Sequence, residues 1–344
     1  MQTTVEQISL TLREPLVSAS ATIERRELIL ISMKDENGRV GWGEAAPLEP
    51  FDGVSDKRCL EAVERQLSAI RALPKGASGA ELLEAARNAN PLPQALAAID
   101  TALWDLAGQR DRAPLATLLA ANPLAQVAVN ALVGADAPQS AAAQAKVAVA
   151  AGFTTLKVKV GGEDDVERLE AIREAVGPTI AIRIDANGTW TVDQAQAALL
   201  AFDRFAIELA EEPVSGLQQV RELRARVNTP IAIDETSAQD GALSSGAADI
   251  VCLKLGRAGG VSALLAQAAL VRRSGAEVYL ASTLDGPVGI AAALHVAAAL
   301  RIEIPCGLAT LDRFERFAEG SLTPRAGAIK LPLGPGLGVG PTEA

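Results

Sequence analysis

The residues of this chain that could do acid–base chemistry follow short apolar runs at regular intervals. Lys157 and Lys159 are two residues apart, and this spacing puts both amines on one face of a β-strand. Polar groups end the later runs in the same way, at Asp185-Ala186-Asn187, Glu211-Glu212-Pro213, Asp234-Glu235, Lys254 and Ser282-Thr283-Leu284-Asp285. Carboxylates are ligands for hard divalent cations, and an amine that is partly deprotonated can act as a general base. The chemistry indicated is proton transfer beside a metal ion.

The positions of these polar groups depend on the strands and helices that carry them. From about residue 127 onward, apolar runs alternate with Ala- and Leu-rich amphipathic stretches, which is typical of parallel βα units. The predicted strands are Val127–Val133, Thr155–Val160, Thr179–Ile184, Ala206–Leu209, Pro230–Ile233, Ile250–Leu255, Glu277–Ala281 and Glu303–Cys306. Seven helical stretches are predicted between them, among them Asp164–Val176 and Val192–Phe202. The turn after the first run has no GxGxxG, so a closed (β/α)7β TIM-like barrel of the α/β class is favoured over an open doubly wound sheet.

The chain before the barrel has an α+β pattern. An antiparallel hairpin is predicted from Glu27–Lys34 and Arg39–Trp42, and helices are predicted at 56–73, 81–88 and 94–108. The tail after Gly327 is too rich in Gly and Pro for a helix and is expected to pack back on the first domain. We therefore predict a capping domain at 1–125, a barrel at 126–310 and a C-terminal segment at 311–344 that joins the capping domain.

The carboxyl ends of barrel strands meet at one face, so acids that end neighbouring strands should converge there. Three carboxylates from neighbouring strands would form an oxygen-only site that suits Mg²⁺, with Mn²⁺ as the alternative, better than Zn²⁺. Lysines from the flanking strands would face each other across the ion. Lys157 and the metal would lower the pKa of Lys159 towards working pH. Such a site fits removal of a proton α to a carboxylate, with the metal holding the enediolate.

Composition excludes several other classes of protein. The 344 residues include a single histidine, His295, so mechanisms that need two histidines are excluded, and its apolar surroundings predict a buried imidazole with one hydrogen bond. Three widely spaced cysteines without a CxxC argue against a disulfide framework or a cysteine zinc site. A net charge of −10 argues against nucleic acid or an anionic membrane surface as a partner.

Sequence signals also bear on location. The longest apolar run, residues 286–300, is shorter than the roughly 18–20 residues needed to span a bilayer. The first residues lack a basic segment followed by an apolar core, so no secretory signal is predicted, and a reducing cytosol is expected. The expected partner is a small carboxylate substrate, and a homo-oligomer is left open.

Several motifs together resemble the enolase superfamily, muconate-lactonizing subgroup, over nearly the whole chain. Gly41-Trp42-Gly43-Glu44-Ala45-Ala46-Pro47-Leu48 resembles the family's early loop, and residues 95–106 resemble its capping-domain helix. The catalytic strand ends match in order at Lys157-Val158-Lys159, Asp185-Ala186-Asn187, Glu211-Glu212-Pro213, Asp234-Glu235 and Lys254 followed by Gly259-Gly260. As an ordered set, these motifs are more specific than any one of them alone.

The resemblance implies a role for each matching residue. Asp185, Glu211 and Asp234 would be the Mg²⁺ ligands, although the sequence leaves Glu211 and Glu212 as alternatives. By the same resemblance, the remaining roles are a base at Lys159, an opposing lysine at Lys254, a tuning lysine at Lys157 and supporting positions at Asn187 and Glu235.

Three stretches further resemble o-succinylbenzoate synthases, dehydratases of menaquinone biosynthesis. They are Glu44–Leu48 followed by Phe51–Gly53, Ser282–Asp285 with Ser282 and Asp285 in a substrate loop, and Cys306–Thr310. The segment Gly289–His295 resembles racemases and dipeptide epimerases as much, so a dipeptide epimerase, an N-succinylamino acid racemase or a muconate-type cycloisomerase are alternatives. A metal-free Schiff-base aldolase and a barrel kept for binding alone are more distant alternatives. Substrate choice is expected in the loops at 16–21 and 47–54.

Overall fold

A computed structural model describes residues 1–17, 22–134, 137–317 and 320–341. The predicted loop at 16–21 therefore lies largely outside the described residues. The strands are β1 (Gln2–Val17), β2 (Thr22–Lys34), β3 (Val40–Ala45), β4 (Gln126–Ala128), β5 (Ala131–Val133), β6 (Thr155–Lys159), β7 (Ala181–Asp185), β8 (Ile207–Glu211), β9 (Ile231–Ile233), β10 (Ile250–Leu253), β11 (Glu277–Leu280) and β12 (Ala328–Lys330). The helices are α1 (Glu49–Asp52), α2 (Asp56–Ala72), α3 (Gly79–Ala89), α4 (Pro93–Asp111), α5 (Leu115–Leu119), α6 (Pro138–Ala150), α7 (Asp165–Val176), α8 (Val192–Phe202), α9 (Leu217–Arg224), α10 (Leu255–Ala258), α11 (Val261–Arg273) and α12 (Pro287–Ala299).

The first part of the chain forms an antiparallel sheet in the order β1-β2-β3, with α2, α3 and α4 after it. The predicted hairpin pairs Lys34 with Val40, while β1 had no counterpart in the sequence-based prediction. Polar caps begin the helices: Ser55 accepts a hydrogen bond from Arg58 N, and Ser78 forms a capping box with Glu81. A Cβ at Gly43 would lie 1.9 Å from Ala98 O, so glycine lets β3 pack directly against α4.

The barrel is a parallel sheet of seven strands in the order β5 to β11. Its strands are almost wholly buried because side chains fill the interior and helices cover the outer face. The predicted α/β fold class, a TIM-like barrel with a capping domain, is confirmed.

Two parts of the barrel prediction are wrong in detail. The predicted eighth strand, Glu303–Cys306, is reduced to single bridges, from Cys306 to Val129 and from Gly307 to Ala281, that close the seam. Pro305 lacks an amide hydrogen and so cannot donate to a regular ladder there. After β9, the chain makes 3₁₀ turns at Glu235–Ala238 and Ala242–Ser244 in place of a predicted helix, in a segment rich in Ser and Gly.

The tail returns to the first part of the chain. Leu337 N donates to Asp105 Oδ1 on α4 at 2.8 Å, and Leu115 N donates to Gly336 O at 2.7 Å. These contacts agree with a tail that joins the capping domain, and the boundaries at 125 and 310 stay predictions. In the part of the chain that the structure describes, no helix has the length and apolar character that a membrane span requires.

The single histidine is structural, as predicted, but makes two hydrogen bonds where one was expected. His295 is fully buried in α12, where its Nδ1 accepts from Ala116 N and its Nε2 lies 3.1 Å from Leu337 O. Since Nδ1 is an acceptor, Nε2 carries the proton and donates to Leu337 O. The ring joins the barrel, α5 and the tail.

Candidate active site

Acids and amines from consecutive barrel strands meet at the carboxyl ends of β6 to β10. Lys157 on β6 contacts two carboxylates, with its Nζ 2.9 Å from Asp185 Oδ2 and 2.5 Å from Glu211 Oε2. Glu211 and Asp234 in turn have carboxylate oxygens within 4.8 Å of each other. The three acids that the resemblance assigned to a metal therefore form one continuous cluster. Within it, the carboxylates of Asp185 and Glu211 both contact the amine of Lys157.

Lys159 lies on one side of this cluster. Its Nζ is 2.5 Å from Asp185 Oδ2 and 2.7 Å from Asn187 Oδ1. Asn187 Nδ2 donates to Glu235 Oε1 at 3.1 Å, so a chain of hydrogen bonds joins β6, β7 and the turn after β9. Asn187 has φ +47°, a left-handed conformation that Asn tolerates better than most residues and that turns its amide towards Lys159.

Lys254 lies on the other side, at the end of β10, and forms an ion pair with Asp234 Oδ2. Arg257 contacts the same acid, with its Nη1 3.0 Å from Asp234 Oδ1 and 2.7 Å from Asp234 O. The sequence analysis did not identify Arg257 as a site residue. Its signal was the spacing of three residues after Lys254, which places it one turn along α10.

The structure separates the two neighbouring glutamates. Glu211 is the last residue of β8 and points into the barrel, where it meets Lys157. Glu212 has φ +40° and turns away, so its carboxylate accepts from Asp234 N at 2.6 Å and Thr236 N at 3.0 Å. Glu212 thus holds the turn that carries Asp234, and Glu211 faces the acid cluster.

The donor set fits a hard cation. Glu211 Oε1 is buried and has no hydrogen-bond partner among the described residues, which is a costly arrangement for a carboxylate unless a cation is bound. Cys252 Sγ lies within 4.8 Å of oxygens of Glu211 and Asp234. Burial, with the neighbouring Asp234 and Glu211 charges, raises the pKa of Cys252 well above its usual value, which disfavours the thiolate form that binds metals. Carboxylate oxygens are then the candidate ligands, and such a set would favour Mg²⁺.

The charges in the cluster stabilise one another. Burial opposes ionisation of Asp185, but Lys157 and Lys159 outweigh it and hold the pKa of Asp185 well below its usual value. Burial likewise opposes the charge on Lys254, yet Asp234 raises the pKa of Lys254 above its usual value. For Glu211, burial prevails and raises its pKa despite Lys157. Lys254 is therefore an ammonium group at neutral pH.

A cavity of about 120 Å³ opens directly onto these groups. The first domain contributes apolar side chains to it, and the barrel contributes the amines and the bottom of the site. The lining residues from the first domain are Leu16, Ile23, Leu48 and Phe51. Its ionisable lining among the described residues consists of three lysines and two aspartates, namely Lys157, Lys159, Lys254, Asp185 and Asp234. Both aspartates are bound to lysines, so neither is a free carboxylate on this wall.

Of the two residues predicted in the substrate loop after β11, Ser282 lines the cavity and Asp285 does not. Ser282 lines the cavity, and its Oγ lies 2.9 Å from Thr310 Oγ1. Asp285 does not line this cavity; it is buried behind the loop, where it accepts from Thr283 N at 3.2 Å and from Thr283 Oγ1 at 2.7 Å. Its side chain therefore holds the loop from behind.

The fold and the site together define a barrel enzyme with clustered carboxylates and lysines at the carboxyl ends of its strands, and comparison with known families places the fold. Residues 140–344 match the family described as "Enolase C-terminal domain-like", and residues 1–120 match the N-terminal domain of "Mandelate racemase / muconate lactonizing enzyme". The chain belongs to the enolase superfamily.

Its relatives have more than one activity. A hydrophobic dipeptide epimerase from Enterococcus faecalis is 35% identical over 308 residues, covering 87% of this chain and 86% of the relative. An o-succinylbenzoate synthase from Thermobifida fusca is 42% identical over 196 residues, covering 54% of this chain and 60% of the relative. Among solved structures, the Enterococcus faecalis dipeptide epimerase complexed with Mg and the dipeptide L-Leu-L-Tyr has a TM-score of 0.89 at 31% identity, covering 98% of each chain.

Proposed function

We propose that this protein is an o-succinylbenzoate synthase, a lyase that dehydrates 2-succinyl-6-hydroxy-2,4-cyclohexadiene-1-carboxylate. The observation that carries the proposal is the placement of Lys159 and Lys254 on opposite sides of the acid cluster, at one cavity. The substrate has a carboxylate, an α-proton and a hydroxyl group, and loss of the proton and the hydroxyl as water leaves an aromatic ring.

The proposed steps use the amines of this chain. Lys159 in its neutral form takes the α-proton and then, as the ammonium, gives a proton to the departing hydroxyl on the same face. Lys254, which the Asp234 carboxylate keeps protonated despite burial, places a positive charge near the carboxylate oxygens where negative charge develops. Asp185, Glu211 and Asp234 would hold Mg²⁺, which supplies Lewis-acid stabilisation of that same negative charge when bound.

The charge of the cavity supports this substrate over a free dipeptide. A dipeptide carries an α-ammonium group, which needs a carboxylate or several acceptors when it is taken out of water. Both acids among the described lining residues are already paired, Asp185 with Lys157 and Lys159, and Asp234 with Lys254. An anionic substrate without an ammonium group matches this wall better.

A racemase or epimerase is the second candidate. Two amines on opposite faces are also the arrangement that two-base proton exchange requires, and the Enterococcus faecalis dipeptide epimerase is similar over most of this chain. An N-succinylamino acid has no free ammonium group and would fit the same wall.

One assay separates the candidates. Purified protein is incubated in deuterated buffer with the cyclohexadiene carboxylate, with dipeptides and with N-succinylamino acids, each with Mg²⁺ and with EDTA. A synthase produces the ultraviolet absorption of the aromatic product with Mg²⁺ alone. Deuterium at the α-position of a dipeptide or N-succinylamino acid, without the aromatic product, would overturn the proposal in favour of epimerisation.

We also propose a cytosolic location. The three cysteines, Cys59, Cys252 and Cys306, are buried free thiols, as a reducing compartment would keep them. Among the described residues, no helix is sufficiently long and apolar to cross a membrane. The proposed partner is a small carboxylate substrate.

A further inference from the structure

One wall of the cavity is a loop in an unfavourable conformation. Ser282, Thr283 and Leu284 follow β11, and all three line the cavity. Leu284 has φ +59°, a left-handed conformation that a side chain with a branched γ-carbon rarely adopts. Such a conformation persists only where the surrounding structure holds it. The contacts of this loop therefore decide the shape of the wall.

A buried arginine of the first domain makes one of those contacts. Arg26 on β2 is 2% exposed, and its Nε donates to Thr283 O at 3.2 Å. The same guanidinium donates to Pro47 O at 2.8 Å and to Ala46 O at 3.2 Å. Ala46 and Pro47 lead into Leu48, which lines the cavity from the capping side. One side chain thus connects both walls of the cavity.

A buried glutamate holds the far end of the same loop. Glu44 on β3 accepts from Gly286 N at 2.7 Å, at the start of α12. A Cβ at Gly286 would lie 2.6 Å from Glu44 Oε2, and one at Gly289 would lie 2.8 Å from Glu44 Oε1. The carboxyl group therefore fits tightly into a recess that Gly286, just before α12, and Gly289, within α12, leave open.

The charges around this contact are compatible with burial. Burial, with the nearby Asp285 carboxyl group, raises the pKa of Glu44 to about 8, so the protonated, neutral form of Glu44 is favoured at pH 7. In the same region burial opposes the charges of Asp285 and Arg26, while each of the two favours the charged form of the other. A glutamine at position 44 would resemble the neutral acid in shape and charge.

From these contacts we infer that Arg26 and Glu44 are positioning residues, which hold the loop at 282–284 against the capping segment at 46–48 and thereby set the affinity for substrate. Neither side chain lines the cavity, so both act through the loop. The inference rests on the proposed function only for the choice of substrate in the assay.

The test compares Arg26→Lys with a matched arginine at the other end of the barrel. Arg173 also donates to backbone carbonyls, to Phe205 O at 3.0 Å and to Gly177 O at 2.7 Å, near the amino-terminal ends of β7 and β8. Arg26→Lys should raise KM about tenfold or more with a smaller change in kcat, because the wall is misplaced while the lysines stay in position. Arg173→Lys should leave KM unchanged.

A second pair of variants, at Glu44, distinguishes loss of the contact from loss of folding. Glu44→Ala removes the acceptor of Gly286 N and should raise KM, whereas Glu44→Gln should keep the wild-type KM. Hydrogen–deuterium exchange of the peptide that contains residues 281–286 should be faster in Arg26→Lys and Glu44→Ala and unchanged in Arg173→Lys and Glu44→Gln. Melting temperatures show whether each variant is folded.

Each outcome decides the inference. A wild-type KM or wild-type exchange in Arg26→Lys or in Glu44→Ala would overturn it, and so would equal changes in Arg173→Lys. If wild-type protein does not convert the cyclohexadiene carboxylate, the proposed function fails, and the exchange measurement still decides the role of Arg26 and Glu44.

Discussion

The amine of Lys157 lies 2.5 Å from Oε2 of Glu211, although β7 separates their strands, β6 and β8, in the sheet. The side chain crosses the barrel interior and meets Asp185 on the intervening strand at 2.9 Å. A single positive charge therefore sits between two buried carboxylates, where a metal ion would also be attracted.

Replacing this amine should change the response to Mg²⁺. In Lys157→Met, the two carboxylates lose their shared cation, so the metal-free protein should be less stable, and Mg²⁺ should stabilise it more than it stabilises wild type. The expected result is a Mg²⁺-induced rise in Tm that exceeds the wild-type rise by at least about 2 °C, measured by differential scanning fluorimetry. Equal rises would show that Lys157 does not share the carboxylates with the metal.

Removing either opposing lysine should stop turnover and keep the fold. Lys159→Ala and Lys254→Ala should each lower kcat by about 1,000-fold or more, because each removes a proton-transfer or charge-stabilising group. Product absorbance gives the rate, and circular dichroism with Mg²⁺ titration gives the control. Wild-type rates in both variants would refute the assigned base chemistry.

Two glutamates on β8, Glu211 and Glu208, provide a matched test of the proposed metal site. Glu211→Gln should weaken Mg²⁺ binding at least about tenfold, since it removes a charged ligand. Glu208→Gln changes the same residue type on β8, but Glu208 pairs with Arg183 away from the acid cluster, so Mg²⁺ binding should be unchanged. Isothermal titration calorimetry measures both, and EDTA should abolish wild-type activity until Mg²⁺ is restored. Equal affinities in the two variants would place the metal elsewhere.

His295 should make stability depend on pH in the acid range. Burial lowers the pKa of His295 from 6.5 to about 4, so between these values the unfolded chain binds a proton that the folded protein does not. The contribution of His295 is therefore complete above pH 6.5 and decreases as pH falls to about 4, by about 3 kcal/mol. Urea unfolding of wild type and His295→Gln at pH 7 and pH 4 should show a stability difference that shrinks by this amount. A difference that stays constant would contradict the buried neutral imidazole.

The barrel and the order of its polar strand ends were predictable from the sequence. Alternating apolar runs and amphipathic stretches specify parallel βα units locally, and the carboxyl ends of such strands share one face whatever the details of packing. For this reason the sequence alone predicts that Lys157, Lys159 and Asp185 lie together. Their roles in catalysis and metal binding stay predictions for the variants described above.

Other features depended on contacts between distant parts of the chain. Glu211 and Glu212 are adjacent in sequence, and only the positive φ of Glu212 directs one carboxylate into the barrel and the other to the backbone of Asp234. The seam closes by single bridges from Cys306 to Val129 and from Gly307 to Ala281, whose partners lie far away in the sequence, and Pro305 limits the local run because it lacks an amide hydrogen.

The contacts of Arg26 and Glu44 are the clearest example of features that the sequence does not reveal. Their hydrogen bonds reach backbone atoms of Thr283 and Gly286, more than 200 positions away, and a backbone acceptor or donor has no residue type that a pattern could reveal. Local periodicity and the order of the strand ends thus determined the kind of fold and the meeting of acids and lysines at one face of the barrel. The docking of the two domains alone decided how the walls of the cavity are held, because that depends on burial and distance between segments that the sequence keeps far apart.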